Sequence, residues 1–128
     1  MQLKPFLFSA LAMFTIAACQ DHNHEDDTTA PAVTIHTPTE NESVSGEVHM
    51  EITVTDEGLH EMEVKVTKDS DGSTLYEDKP TVHDETEYDY HEHFTPVVAE
   101  ETPVTLTVTV SDHSDHTTTK TVKFKVKP

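Results

Sequence analysis

The sequence predicts an all-β fold: seven short antiparallel strands packed as a two-sheet sandwich. Three observations carry this expectation. From Ala32 to the C-terminus, apolar and polar residues alternate with a period of two, as strands with one buried face require. Turn-forming residues interrupt the alternation at 38–46, 56–58, 69–72, 79–85, 95–103 and 111–118. Beyond the N-terminal segment, no stretch shows a helical period.

The chain divides into residues 1–18, 19–31 and 32–128. In the first part Lys4 precedes an apolar run from Phe6 to Ala18 that ends in small residues. That order describes a cleaved secretory signal, too short to span a bilayer. Ile16-Ala17-Ala18-Cys19 resembles the lipobox of bacterial lipoproteins. The resemblance implies cleavage before Cys19, acylation of Cys19 and a membrane anchor, stable when two or more acyl chains are attached. An ordinary signal peptide with a coincidental cysteine is the plainer alternative.

Residues 19–31 carry no large apolar side chain and read as a flexible acidic tether containing His22 and His24. The acidic cluster after Cys19 resembles the surface-export signals of Bacteroidota lipoproteins. Asp21 also sits where some proteobacterial lipoproteins carry an inner-membrane retention signal. The expected location is the cell envelope, with the outer membrane favoured and the leaflet open.

Val33 and Ile35 place the first strand at 32–37, and Val48, Met50, Ile52 and Val54 place the second at 47–55. Met62, Val64 and Val66 mark 60–68, and a short strand follows at 74–77. Tyr88 and Tyr90 mark 87–94, Val104 to Val110 mark 104–110, and Val122, Phe124 and Val126 mark 119–126. Seven strands in about a hundred residues suit an immunoglobulin-like sandwich, with a small barrel as the alternative. Exposed lysines on the last strand suit a sheet edge.

Two passages carry a family resemblance. Val54-Thr55-Asp56-Glu57-Gly58-Leu59, running into Met62–Val66, resembles the second-to-third strand passage of bacterial immunoglobulin-like and cadherin-like domains. Leu106–Asp112, a polar turn and Thr118–Val126 resemble their last two strands. The chain is thereby similar to small Bacteroidota envelope lipoproteins. The resemblance implies the sandwich fold and is silent on function. His113-Ser114-Asp115-His116 stands where the family often has Gly-Asn after the late aspartate.

Composition narrows the partners. The chain holds 25 acidic residues against 8 basic ones and a formal charge of −17, with no arginine. Phosphate backbones would repel it, so nucleic acid is excluded as a partner. The sole cysteine is the lipidation candidate, which leaves neither a disulfide nor a thiolate zinc site. Ten histidines in 128 residues are the second anomaly. Histidine is the commonest metal ligand and the side chain whose ordinary titration lies nearest neutrality.

Strand geometry gathers these histidines. Donors two apart leave the same face, as His91 and His93 do, with Asp89 before them. In an immunoglobulin-type sheet of order first, second, fifth and fourth strand, the start of 47–55 lies beside the end of 87–94. His49 then falls near His91 and His93, and His36 comes to the same end. All four point outward with Glu51 and Asp89, so His36, His49, His91 and His93 form the first candidate metal site. Imidazoles with some carboxylate suit zinc or copper; calcium, which wants oxygen ligands, fits less well.

A second candidate cluster lies at the opposite end. Asp56, Glu57 and His60 in one turn face Asp112, His113, Asp115 and His116 in another. Asp56 and Asp112 are also ordinary turn formers, which is the structural reading of the same residues.

Enzyme signatures are lacking: no phosphate loop, nucleophile elbow or helix-borne metal motif occurs. The expected function is a lipid-anchored envelope module that binds a divalent transition metal. The alternative is an interaction domain docking to an envelope protein or glycan, with the histidines incidental.

Overall fold

The computed structural model describes residues 28–128. The signal segment, Cys19, His22, His24 and most of the tether lie outside the described residues. The tether's last residue is docked: the Thr118 hydroxyl donates to the Pro31 carbonyl at 2.6 Å.

The described residues form eight strands and no helix: β1 (Ala32–Thr37), β2 (Ser43–Ser45), β3 (Val48–Thr55), β4 (Leu59–Lys68), β5 (Thr74–Asp78), β6 (Glu87–Phe94), β7 (Thr102–Asp112) and β8 (Thr117–Lys127). They pack as a three-stranded sheet, β1-β3-β6, against a five-stranded sheet, β2-β8-β7-β4-β5. All seven expected strands are present, and the all-β sandwich is the observed architecture.

Alternation explains the core. Val48, Met50, Ile52 and Val54 of β3 face Val64 and Val66 of β4 and Val104, Leu106, Val108 and Val110 of β7 across the sandwich, all nearly or fully buried. Their interleaved partners carry hydroxyls and charges to solvent, as the burial patterns of these strands show. Fully burying each such side chain contributes about 1.5–3 kcal/mol relative to exposure.

The expected topology needs two corrections. The eighth strand, β2, lies in what reads as a turn and pairs parallel with the end of β8, Val44 opposite Val126. Three residues are too few for alternation to register, and β2 is defined by its partner. With the Asn41 amide donating to the Lys123 carbonyl as well, the outer edge of β8 is covered from Lys123 onward.

The second correction concerns β5, which the sequence reading placed beside the β1-β3-β6 sheet. It pairs instead with β4, Val66 opposite Tyr76. Residues 69–73 explain this. The Lys68 and Ser73 backbones bond at 2.9 Å, Gly72 takes a left-handed φ of 72°, and Asp71 accepts from the Ser73 amide at 2.9 Å. A hairpin closed this tightly returns its strand to the same sheet, because packed sheets lie about 10 Å apart. The crossing between sheets is made later, by residues 79–86.

Candidate metal centre

The crossing segment passes over the end of the sandwich where β3 turns into β4. Asp84 donates its amide to the Leu59 carbonyl and Leu59 donates to the Glu85 carbonyl, both at 2.9 Å. Val82 is 1% exposed and pins the segment into the core. The residue next to this anchor, His83, is thereby held over the start of β4.

Two further histidines arrive from separate elements. His60 follows the fully buried Leu59 and sits in a β-bulge: Leu59 pairs with Asp112 and Glu61 with Ser111, leaving His60 as the extra residue. Bulges re-aim a side chain and are common beside functional sites. His113 lies in the β7–β8 turn, where its amide donates to the Gly58 carbonyl at 3.1 Å.

The three imidazoles converge. His60, His83 and His113 present donor atoms that all lie within 4.8 Å of one another, the one such group of three among the described residues. Ring centroids are 5.4 Å apart for His60–His83, 4.8 Å for His60–His113 and 4.7 Å for His83–His113. The Nδ1 atoms of His60 and His83 stand 3.4 Å apart. Two nitrogens on one tetrahedral zinc, with bonds of about 2.0–2.1 Å, are separated by about 3.3 Å.

Asp84 orders the rings from behind. Its Oδ1 lies 2.8 Å from His113 Nε2 and its Oδ2 lies 3.4 Å from His83 Nε2. A carboxylate accepts only, so it selects the Nε2–H form of His113 and leaves that ring's Nδ1 lone pair available, while its contact with His83 is longer and electrostatic. A carboxylate on the far nitrogen is the usual support of a metal-ligating histidine. All three histidines are exposed. A groove of about 500 Å³ runs alongside, lined by His60, Val82, His83, Lys79, Thr109 and Ser111.

The second candidate cluster therefore divides. His60 and His113 enter the triad, while Asp56, Asp112 and His116 serve turns. Asp56 Oδ2 accepts from the Gly58 amide at 2.9 Å. Asp112, 2% exposed, accepts through Oδ1 from the amides of Ser114 and His116, and its Oδ2 lies 2.9 Å from His116 Nδ1. Burial pushes this carboxyl up, but donation from the His116 amide and ring and the Ser114 amide outweighs it. The net position is below the usual carboxylate range.

The first candidate site divides as well. His49 pairs directly with His93, and Glu51 with His91, as the parity of β3 and β6 requires. His36 departs from this row because β1 bulges between Ile35 and Thr37. Its Nε2 lies 2.9 Å from the Thr53 hydroxyl, which donates to Asp89 at 2.9 Å and so accepts from His36. His91 Nε2 lies 3.7 Å from Glu51. The four histidines thus form separate pairings along one outer face.

His83 is the member of this group absent from both candidate clusters that the sequence suggests. Residues 79–85 show no alternation, and with β5 assigned to the other sheet nothing brought them over His60. The available signal was Val82, a lone apolar residue within a polar turn.

No protein-family model matches the sequence, and no curated protein does. Solved structures give likenesses. An engineered protein aligns with a TM-score of 0.57 at 16% identity over 77% of this chain, which spans 20% of that protein's length. CopC from Methylosinus trichosporium OB3b aligns with a TM-score of 0.48 at 12% identity, over 76% of this chain and 95% of CopC. The former is a likeness of fold; the latter is too distant to carry even that.

Proposed function

We propose that this protein binds a divalent transition metal at His60, His83 and His113, as a lipid-anchored module of the cell envelope. The observation that carries the metal reading is the convergence of three imidazoles within 4.8 Å from three separate elements. Imidazole donors favour zinc or copper over calcium. Three protein ligands leave a fourth position for water or for a donor from a receiving partner. That arrangement suits a buffer or delivery role, and binding rather than turnover is the reading. The anchor rests on the order Lys4, apolar run, Ile16-Ala17-Ala18-Cys19.

Titration calorimetry of the purified protein with zinc, copper and calcium tests the metal reading. Zinc or copper should bind at micromolar concentration or below, and H60A/H83A should abolish binding at this site. Absence of micromolar binding by any of the ions would leave the interaction domain. Mass spectrometry of the membrane-extracted protein tests the anchor, which requires an N-terminal acylated Cys19.

A further inference from the structure

We propose a second transition-metal site at Glu47, His49 and His93, on the outer face of the three-stranded sheet. It is independent of the triad, sharing no residue and no element end with it. His49 and His93 are directly opposed across the antiparallel β3–β6 pair. Directly opposed residues have Cβ atoms about 4.5–5.5 Å apart. Glu47 stands two residues before His49, just ahead of β3, and reaches the same face.

The carboxylate already engages both rings. Glu47 Oε1 lies 2.9 Å from His49 Nε2, and Oε2 lies 3.3 Å from His93 Nδ1. The ring centroids are 5.4 Å apart, the same spacing as His60–His83 in the triad. Two imidazoles on a single tetrahedral ion, with metal–nitrogen bonds of about 2.0–2.1 Å, place their centroids roughly 5 Å apart. Two histidines and one carboxylate are a recurrent donor set for divalent first-row metals.

The backbone beneath is fixed. His49 lies between Val48 and Met50, both fully buried, so its Cα is held by the core. The side chains above are free to adjust, at 56% exposure for His49 and 57% for His93. Closure on an ion therefore needs side-chain rotation alone. Because the donors are not drawn together as tightly as the triad's, the affinity should be the lower of the two. Glu51 on the same face adds negative potential that favours a cation over the bare rings.

Position separates the sites. His49 is at the start of β3 and the triad lies beyond its end, about 20 Å away at about 3.3 Å per residue. Two ions can then be held at once without mutual contact.

Equilibrium dialysis of the purified full chain against zinc, with metal counted by mass spectrometry, tests this. The wild type should retain two ions per chain, H49A/H93A one and H60A/H83A one. E47Q should weaken the lower-affinity site at least tenfold and leave the other unchanged. Unfolding curves in chelator confirm that each variant is folded. A wild-type count and affinities that H49A/H93A leaves unchanged would overturn the second site. If H60A/H83A changes nothing while H49A/H93A removes an ion, the triad fails and this site stands.

Discussion

His60 and His83 are 23 residues apart in the chain, yet their Nδ1 atoms stand 3.4 Å from each other. A bulge turns the first outward and a core-anchored crossing segment delivers the second. Neither ring reaches the other through local structure, so the spacing belongs to the fold.

Replacing Asp84 separates support from ligation. Asp84→Asn keeps the side-chain shape but removes the carboxylate that holds the Nε2–H form of His113 and the negative charge beside His83. Metal affinity should fall about 10–100-fold. Competition with a chromophoric chelator reads this directly, and an unchanged affinity would mean that the rings orient themselves.

Metal should stapled-link β4, the crossing segment and the β7–β8 turn, and thereby raise thermal stability. Free zinc at a hundred times the dissociation constant should add about 2.7 kcal/mol. Thermal denaturation with and without zinc measures it. Excess chelator should reverse the shift, and H60A/H83A should lose the part owed to the triad.

The two sheets are joined by phenols as well as by apolar packing. Tyr90 on β6 shares a 2.6 Å hydroxyl contact with Tyr76 on β5 and donates to Asp78 at 2.9 Å. Burial first, then its hydrogen bonds to Tyr76 and Asp78, raise the Tyr90 phenol well above its ordinary range. The native state therefore holds this proton longer than the unfolded chain does. Its stabilising contribution is complete below about pH 10, the unfolded value, and is lost as pH rises toward the native one. Urea unfolding between pH 8 and pH 11 should show that decline, and Tyr90→Phe should make it shallower. At pH 8 the same substitution should cost about 1 kcal/mol.

Asp112 supplies the acidic counterpart. Its carboxyl titrates below the ordinary range in the native state. Stability from this group is present above about pH 4, the unfolded value, and is lost as pH falls through the lower native value. Asp112→Ala leaves the Ser114 and His116 donors unmatched and should cost about 2 kcal/mol or more. Urea unfolding in chelator, at pH 7 and again near pH 3, should show the larger difference at pH 7.

Parity made much of the sheet chemistry legible. That His49, His91 and His93 share one outer face follows once Met50 and Tyr90 face inward, because side chains alternate strictly along paired strands, whereas the direct pairing of His49 with His93 is set by the register. The same rule fails at His36 and His60, where one extra residue breaks the count. In β1 the bulge leaves no mark in the alternation, whereas in β4 it shows as the three-residue step between the buried Leu59 and Met62.

By itself, then, the sequence determined the seven longer strands, their buried faces, which ends of β3 and β6 meet, and the abundance of imidazole. Alternation is a local property, enforced by burying every second side chain. Tertiary structure alone decided that β5 belongs beside β4, that residues 79–86 cross between sheets, and that His83 meets His60 and His113. The first depends on a tight hairpin closed between Lys68 and Ser73, which alternation does not report, and the others on the burial of Val82 among residues far along the chain.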